Sequence, residues 1–367
     1  MPFDERDFPD LPPGEKAADR RSRRLVAFWL FGVAGMILVM VVLGGVTRLT
    51  GSGLSIMEWA PLSGALPPLT DADWQKLFDL YKQVPQYTLM HAGFGLAGFK
   101  QIFWLEWVHR LWGRLIGLAF LAPLIWLWAT GRIERRLRPR LVLLFALGGL
   151  QGAVGWFMVA SGFLPDTTEV SPYRLVIHLV LALVLYAAIV WTGLDVLRPI
   201  PARSVAPAAG PIAGTRFMRH LATLLCALVA LTIVAGGFVA GTHAGFDYNT
   251  FPLMSGRLVP DGYARLAPLA RNLTENIAAV QFDHRLLATL TALVSAAIVA
   301  LGVFTPSLRP ARGTILLLGA TVAVQYLLGV TTLLLVVPIG LAAAHQAVAV
   351  LVLTAALMLL HRLRGVA

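Results

Sequence analysis

The sequence predicts an all-α integral membrane protein in which eight transmembrane helices form two four-helix bundles related by a pseudo-twofold axis. Of its 367 residues, 57% are hydrophobic and only 13% are charged, whereas charged residues make up about 25% of a typical soluble domain. The apolar residues fall in long blocks, each near the roughly 20 residues that a helix needs to cross a membrane. Motifs of the first half also recur in the second half.

The apolar blocks predict the positions of the eight spans. A shorter segment, 87–100, contains His91 and several glycines and is too polar to cross a membrane alone. We therefore expect it to form an extramembrane or interfacial helix. The predicted spans are 25–46, 102–130, 141–160, 175–194, 221–241, 277–304, 314–337 and 339–360.

The repeat relates the first four spans to the last four. Gly44-Gly45 and Gly236-Gly237 end the first and fifth spans, and His109-Arg110 recurs 175 residues later as His284-Arg285. Two units that both begin in the cytoplasm imply a pseudo-twofold axis along the membrane normal. Two further pairs follow the same repeat: Gln151 with Gln325, and His178 with His345.

These observations predict four regions. Residues 1–24 form a cytoplasmic N-terminal tail, 25–198 the N-terminal bundle, 199–219 a cytoplasmic linker and 220–361 the C-terminal bundle. The tail is too acidic for a secretory signal or a mitochondrial transit peptide. The first span is therefore expected to be an uncleaved anchor in a bacterial inner membrane.

The net charge of +11 would suggest nucleic acid binding in a soluble protein. Here 19 of the Lys and Arg residues fall in loops on one predicted side of the membrane and eight on the other. This is the bias of cytoplasmic loops, so both termini are predicted to be cytoplasmic and no nucleic acid partner is expected. The single cysteine, Cys226, excludes an intrachain disulfide.

Four histidines are the candidate metal ligands. His109, His178, His284 and His345 lie in the first predicted turns of spans that descend from the outer face, which places them at similar depth. Two facing imidazoles can supply the axial ligands of one haem. A plain interhelical hydrogen bond or a zinc or copper site is the alternative. The remaining histidines, His91, His220, His243 and His361, are expected to be solvated or interfacial.

One difference between the repeats indicates where chemistry takes place. Glu106 stands three residues before His109, whereas Gln281 stands three residues before His284. Residues three apart share a helix face, and a carboxylate beside a haem can transfer protons. Glu106 is therefore the candidate catalytic residue, with a solvated acid at the helix end as the alternative.

Three arginines lie near the same helix ends and are candidate partners of haem propionates. Arginine presents a planar fork of donors that matches a carboxylate. The alternative is that these side chains reach to the membrane interface. The three are Arg110, Arg114 and Arg285.

Two segments resemble the haem A synthase family. Residues 99–114, FKQIFWLEWVHRLWGR, are similar to its signature, and residues 44–55, GGVTRLTGSGLS, are similar to its first outer loop. The resemblance extends from about 25 to 361. Some bacterial members carry a cysteine pair in outer loops, which this chain lacks, so it resembles the alpha-proteobacterial and mitochondrial type.

The resemblance implies oxidation of the C8 methyl of haem O to the formyl group of haem A, which terminal oxidases use. It implies that His109 and His178 ligate the substrate haem, that Glu106 is catalytic, and that His284 and His345 ligate a haem b cofactor. It also implies a haem O synthase and an electron donor such as a ferredoxin as partners, and a homo-oligomer as a candidate state.

The residues alone leave other functions open. A cytochrome b-like electron carrier with two bis-histidine haems is the main alternative, although such a carrier usually holds its haems at different depths. A transporter is suggested by the repeat itself, but it would need helices broken in mid-membrane.

Overall fold

A computed structural model describes residues 17–61, 63–198 and 213–364. Most of the predicted tail and linker therefore lies outside the described residues. Within those ranges the chain forms eleven α-helices joined by loops and short 3-10 turns. The helices are α1 (Ala17–Leu49), α2 (Asp71–Tyr81), α3 (Pro85–Met90), α4 (Leu96–Ala129), α5 (Arg138–Val159), α6 (Pro172–Leu197), α7 (Ala213–Gly241), α8 (Asn272–Glu275), α9 (Ile277–Phe304), α10 (Arg312–Leu334) and α11 (Ile339–Leu363).

Eight of the described helices are long and apolar enough to cross a membrane, namely α1, α4, α5, α6, α7, α9, α10 and α11. The predicted all-α class and the number of spans are thus confirmed. The chain is a multi-pass membrane protein.

Helix boundaries differ from the prediction at three places. The segment 87–100 is not a single helix, because α3 ends at Met90 and α4 begins at Leu96. Gly93 between them adopts a φ of +101°, a conformation that glycine reaches without strain. α1 and α7 begin at 17 and 213, so the ends of the predicted tail and linker are helical.

The early start of α4 also corrects the predicted position of His109. This residue lies in the fourth turn of α4, not in its first turns, because a helical turn takes 3.6 residues. Phe99 and Phe103, which precede it, are buried, and residues 96–101 extend the helix ahead of the predicted span.

Helix contacts are compatible with the predicted two bundles. α1, α4, α5 and α6 contact one another in a closed ring, and α7, α9, α10 and α11 do the same. Between the halves, α1 contacts α11 and α6 contacts α7. The repeat relates α1 to α7 and α6 to α11, so it converts each of these two contacts into the other, as a twofold relation requires.

Polar contacts link the halves along their length. Near the middle, the Tyr186 and Thr354 hydroxyl groups lie 2.7 Å apart. At the predicted cytoplasmic end, Asp195 pairs with Arg364 and lies 3.2 Å from His361 Nε2. His361 is only 4% exposed, so the expectation that it is solvated is wrong: it serves as a buried partner of Asp195.

At the other end, a three-residue contact joins the halves. His243, which follows α7, bonds to Glu169 of the α5–α6 loop. Its Nε2 also lies 3.4 Å from Arg48 Nη2 at the end of α1. His243 is exposed, in keeping with the expectation that it is solvated or interfacial, and it also connects the two halves.

The first outer loop folds onto α4 through aromatic packing. α2 begins with a capping box in which Thr70 and Asp73 satisfy each other's backbone N–H groups, the usual stabilisation of a helix N-terminus. Trp74 of α2 packs against Phe103 with ring centroids 4.9 Å apart, and Phe78 packs against Phe99 at 5.4 Å. This contact holds the loop beside the helix that carries Glu106 and His109.

Candidate functional site

Each of the four predicted histidine ligands packs against a glycine of the preceding transmembrane helix. All four histidines are half-buried. A Cβ atom on three of these glycines would lie within 3.0 Å of the ring, and on the fourth 3.5 Å away. At those three glycines the imidazole therefore occupies the space that a side chain would need. The contacts are Gly155 to His178 Cε1 (2.9 Å), Gly236 to His284 Cε1 (2.9 Å), Gly329 to His345 Cε1 (2.8 Å) and Gly44 to His109 Nε2 (3.5 Å).

The histidines pair within each half. His109 lies close enough to His178 to be affected by a charge on that ring, and His284 lies equally close to His345 in this sense. The four glycines lie four or five residues before the ends of α1, α5, α7 and α10, which all run toward the same side. At 1.5 Å per residue this is about 7 Å from each helix end, which supports the prediction of similar depth.

Hydrogen bonds orient three of the rings. His284 Nδ1 lies 3.1 Å from the Thr232 carbonyl oxygen. A carbonyl only accepts, so Nδ1 carries the proton and the Nε2 lone pair is free for a metal. Gln151 Nε2 lies 3.1 Å from Nδ1 of His178, and Gln325 Nε2 lies 3.4 Å from His345 Nε2. The repeated glutamines therefore hold equivalent histidines.

The histidine pairs fit a haem better than a bare metal ion. In the described ranges no group of three or more His, Cys, Asp or Glu side chains is placed to hold a metal, whereas zinc needs at least three protein ligands. Three buried polar atoms beside the histidines, Gln151 Oε1, Gln325 Oε1 and His345 Nδ1, have no partner among the described residues. Two imidazoles and a glycine-lined wall suit a large planar group with two axial ligands.

Glu106 is buried and engaged by four hydrogen bonds. It is 2% exposed. Oε2 accepts from Ser55 Oγ at 2.7 Å and from the Ile56 N–H at 2.9 Å. Oε1 accepts from Arg110 Nε at 3.0 Å and Nη2 at 2.6 Å. The alternative of a solvated acid is wrong, because the first outer loop covers the carboxylate.

Gln281 holds the equivalent position with reversed hydrogen-bond polarity. Its Nε2 donates to the carbonyl oxygens of Ala244 and Asp247 at 2.6 and 2.5 Å. Its Oε1 accepts from Arg285 Nη2 at 2.8 Å. The loop of the N-terminal half thus presents donors to residue 106, and the loop of the C-terminal half presents acceptors to residue 281.

The three candidate propionate arginines bind outer-loop carbonyls. Arg110 Nη1 and Nη2 donate to carbonyls of the loop 56–58 at 2.7 Å. Arg285 donates to the equivalent loop 248–250 at 2.9 and 2.6 Å. Arg114 donates to the carbonyls of residues 60 and 61 at 2.9 Å. Arg114 Nη1 and Arg285 Nε are buried without a partner in the described structure, so these two donors have no protein acceptor there.

A buried chain of hydrogen bonds near Glu106 was not predicted. Tyr81 is fully buried, and its hydroxyl lies 2.6 Å from His91 Nδ1 and 3.0 Å from Gln86 Oε1. Burial raises the pKa of Tyr81, and the charge of Glu106 adds to that effect. Burial lowers the pKa of His91. Sequence alone could not find this cluster, because its residues lie outside the apolar spans and meet only through packing.

The chain is similar over nearly its whole length to known proteins. A family model described as cytochrome oxidase assembly protein, COX15-CtaA, matches residues 27–357. The Heme A synthase of Granulibacter bethesdensis is 59% identical over 346 residues, covering 94% of this chain and 89% of that relative. The Heme A synthase of Rhodospirillum centenum is 48% identical over 357 residues, covering 97% and 92%. The glycine-backed histidine pairs thus stand in a chain that belongs to the COX15-CtaA family, whose relatives matched here are haem A synthases.

Proposed function

We propose that this protein is a haem A synthase, a membrane oxidoreductase that oxidises the C8 methyl of haem O to the formyl group of haem A. The observation that most directly supports this proposal is the asymmetry between two otherwise equivalent histidine pairs. The N-terminal pair has the buried carboxylate of Glu106 on the same helix face, and the C-terminal pair has the neutral amide of Gln281. The names of the relatives support the same reaction.

The N-terminal half is the proposed substrate site. His109 and His178 would ligate the iron of haem O. Gly155 leaves room for the His178 ring, whereas a Cβ at Gly44 would lie at an ordinary contact distance from the His109 ring. Gln151 fixes the orientation of His178. The first outer loop packs on α4 through aromatic contacts, and Glu106 beneath it is buried.

The C-terminal half is the proposed cofactor site. His284 and His345 would ligate haem b, and the Thr232 carbonyl keeps the His284 Nε2 lone pair available. When bound, a bis-histidine haem b supplies one-electron transfer. Gln281 cannot exchange protons, so this half is suited to electron transfer.

Glu106 is the proposed proton-transfer group. Converting a methyl to a formyl group is a multi-electron oxidation that also releases protons. Arg110 donates two hydrogen bonds to Oε1 of Glu106. The Ser55 hydroxyl donates a hydrogen bond to Oε2. Because a hydroxyl both donates and accepts, it can reorient when the carboxylate gains or loses a proton.

Location and partners are part of the proposal. The excess of Lys and Arg on one side supports cytoplasmic termini in a bacterial inner membrane. A haem O synthase would supply haem O, and a donor such as a ferredoxin is the candidate redox partner. The oxidation also needs an external oxidant that takes up the electrons removed from the methyl group. A homo-oligomer is the candidate assembly.

The electron carrier is less favoured because of where the histidines lie. All four glycine contacts are about 7 Å from the ends of helices that run to the same side. Two haems at one depth would not move electrons across the membrane.

The test is production of haem A in a host that makes haem O but lacks haem A. We expect the parent chain to produce haem A, measured by chromatography of extracted haems. Glu106→Gln should accumulate haem O, because general acid–base groups contribute roughly 100- to 10,000-fold. Its low-spin haem signal should persist, because the C-terminal pair is untouched.

A second variant, Ser55→Ala, serves as the control and distinguishes proton transfer by Glu106 from its hydrogen bonding to the outer loop. Ser55→Ala removes one of the four hydrogen bonds to Glu106 but retains the carboxylate, so its loss of haem A should be much smaller. If the parent chain binds haem but produces no haem A, the proposal of haem A synthase activity is wrong and the electron carrier is favoured. Haem A at the parent rate with Glu106→Gln would remove Glu106 from the mechanism.

A further inference from the structure

A cavity lies at the opposite end of the N-terminal half from the histidines. Its volume is about 690 Å³, and it is found where α4 ends and α5 begins. Trp128 of α4 lines one side. Arg135 and Arg138 line the mouth, and Val142, Leu143 and Ala146 of α5 form the wall. The cavity is therefore cationic at one end and apolar along its length.

The positive charge at the mouth is not neutralised by protein. In the described structure neither Arg135 nor Arg138 forms an ion pair, whereas the adjacent Arg136 pairs with Glu134 at 2.6 Å. The Arg138 guanidinium lies 4.9 Å from the Trp128 ring centroid, and its Nε is buried without a hydrogen-bond partner.

The start of α5 adds to this charge. α5 has 22 residues, and no side chain caps its N-terminus. Pro139, the second residue, has no N–H, but the remaining free N–H groups and the helix dipole at such an end favour an anion. Arg138 is the first residue of this helix, so the guanidinium and the helix end face the same region.

The wall of the cavity faces the lipid. Val142 and Leu143 are 48% and 58% exposed, and Ala146 one turn further is also exposed. All three lie in a membrane-spanning helix. Trp126 and Trp128, 49% and 38% exposed, are placed as an aromatic belt at the membrane interface. A small soluble anion would leave this wall uncovered, whereas an acyl chain would cover it.

The C-terminal half carries equivalent arginines, Arg309 and Arg312, and Arg312 Nε is likewise buried without a hydrogen-bond partner among the described residues. Arg312 begins α10, as Arg138 begins α5, but its Nη2 donates to the Val303 carbonyl at 2.5 Å. A 3-10 turn, Pro306–Ala311, leads directly into α10. The two halves therefore differ in that the Arg312 guanidinium is bonded to the protein backbone, whereas no such bond engages Arg138 in the described structure.

We propose that this cavity binds an anionic phospholipid. The headgroup phosphate lies between Arg135, Arg138 and the N-terminus of α5, and an acyl chain runs along Val142, Leu143 and Ala146. Basic pockets beside transmembrane helices on the cytoplasmic side recognise anionic headgroups in this way. The site is independent of the proposed haem chemistry.

The test is native mass spectrometry of the purified full chain in detergent, titrated with phosphatidylglycerol or with phosphatidylcholine. We expect tighter binding of phosphatidylglycerol. Each of Arg135→Gln and Arg138→Gln should weaken it roughly 5-fold, because one basic residue near an anionic lipid contributes about that factor. Arg136→Gln, in the same loop but paired with Glu134, should leave the affinity unchanged.

Three results would overturn the proposal. The first is equal affinity for the two lipids. The second is an Arg135→Gln variant that binds phosphatidylglycerol like the parent; this side chain is exposed, so its loss does not threaten folding. The third is full displacement of phosphatidylglycerol by millimolar inorganic phosphate, which would assign the site to a free anion. Failure of phosphate to compete supports the lipid.

Discussion

Replacement of Gly329 by alanine is expected to displace the His345 imidazole and to lower the haem content of the C-terminal half. A Cβ atom at 329 would lie 2.8 Å from His345 Cε1, and ordinary contacts of a Cβ begin at 3.4 Å. The ring must therefore move by about 0.6 Å, because densely packed helices do not separate easily. Metal–ligand distances hold to within about 0.2 Å, so the displacement is about three times what an axial ligand tolerates.

The assay is the ratio of haem to protein together with the low-spin absorption spectrum of the purified protein. Changes beside a metal ligand typically weaken metal binding roughly 10- to 100-fold, and we expect a loss in that range. Gly155→Ala should have the same effect on haem bound in the N-terminal half, because its Cβ would lie 2.9 Å from His178 Cε1.

Two alanine variants serve as controls. Gly340 lies on the same helix as His345, and a Cβ there would meet nothing within 4 Å. A Cβ at Gly44 would lie 3.5 Å from His109 Nε2, an ordinary contact. Both variants should retain the parent haem content. If Gly329→Ala also retains it, with an unchanged low-spin spectrum, then the glycine does not position the ligand and the reasoning fails.

Two other predictions follow from the histidines and from the outer contact between the halves. Replacing His284 or His345 by alanine should abolish the low-spin haem b spectrum, because the loss of one axial ligand leaves the iron five-coordinate; an unchanged spectrum in both variants would make this pair structural. Burial alone would raise the pKa of Glu169, but the hydrogen bond from His243 and the charges of His243 and Arg48 outweigh it, so the pKa lies below its ordinary value of 4.5. A lowered carboxyl pKa stabilises the fold above the unfolded pKa and loses that effect as the pH falls through the folded value. The melting temperature of the parent should therefore fall more than that of Glu169→Gln when the pH drops from 6 to below about 4, and parallel curves for the two proteins would contradict this.

The spans could be predicted because hydropathy records directly what a membrane requires of a helix. The extra helical turns at the start of α4 could not be predicted from hydropathy, because the segment 96–101 has mixed polarity. Its helix is stabilised by packing of Phe99 against α2. The break at Gly93 was missed for a similar reason. A glycine permits a positive φ, but only the loop around it decides whether that φ is used.

The candidate site was predictable as far as the repeat determines it. His109, His178, His284 and His345 stand at equivalent positions, and the structure pairs them within each half. Their glycine partners are conspicuous in the sequence, but which glycine faces which histidine depends on helix packing. The partners of Glu106 were beyond sequence reasoning, because Ser55 and Ile56 lie about 50 positions away on a loop.

The reversed polarity around residues 106 and 281 argues that the two halves differ by more than one side chain. At 106, two donors from the loop meet a carboxylate oxygen at 2.7 and 2.9 Å. At 281, two carbonyl oxygens stand 2.6 and 2.5 Å from the amide nitrogen. A carboxylate at 281 would face those carbonyls, and an unmatched buried anion is costly. An amide at 106 would turn its N–H₂ either toward donors or toward Arg110. Each loop backbone is therefore built for its own residue, and this confines a stable buried carboxylate to the N-terminal half.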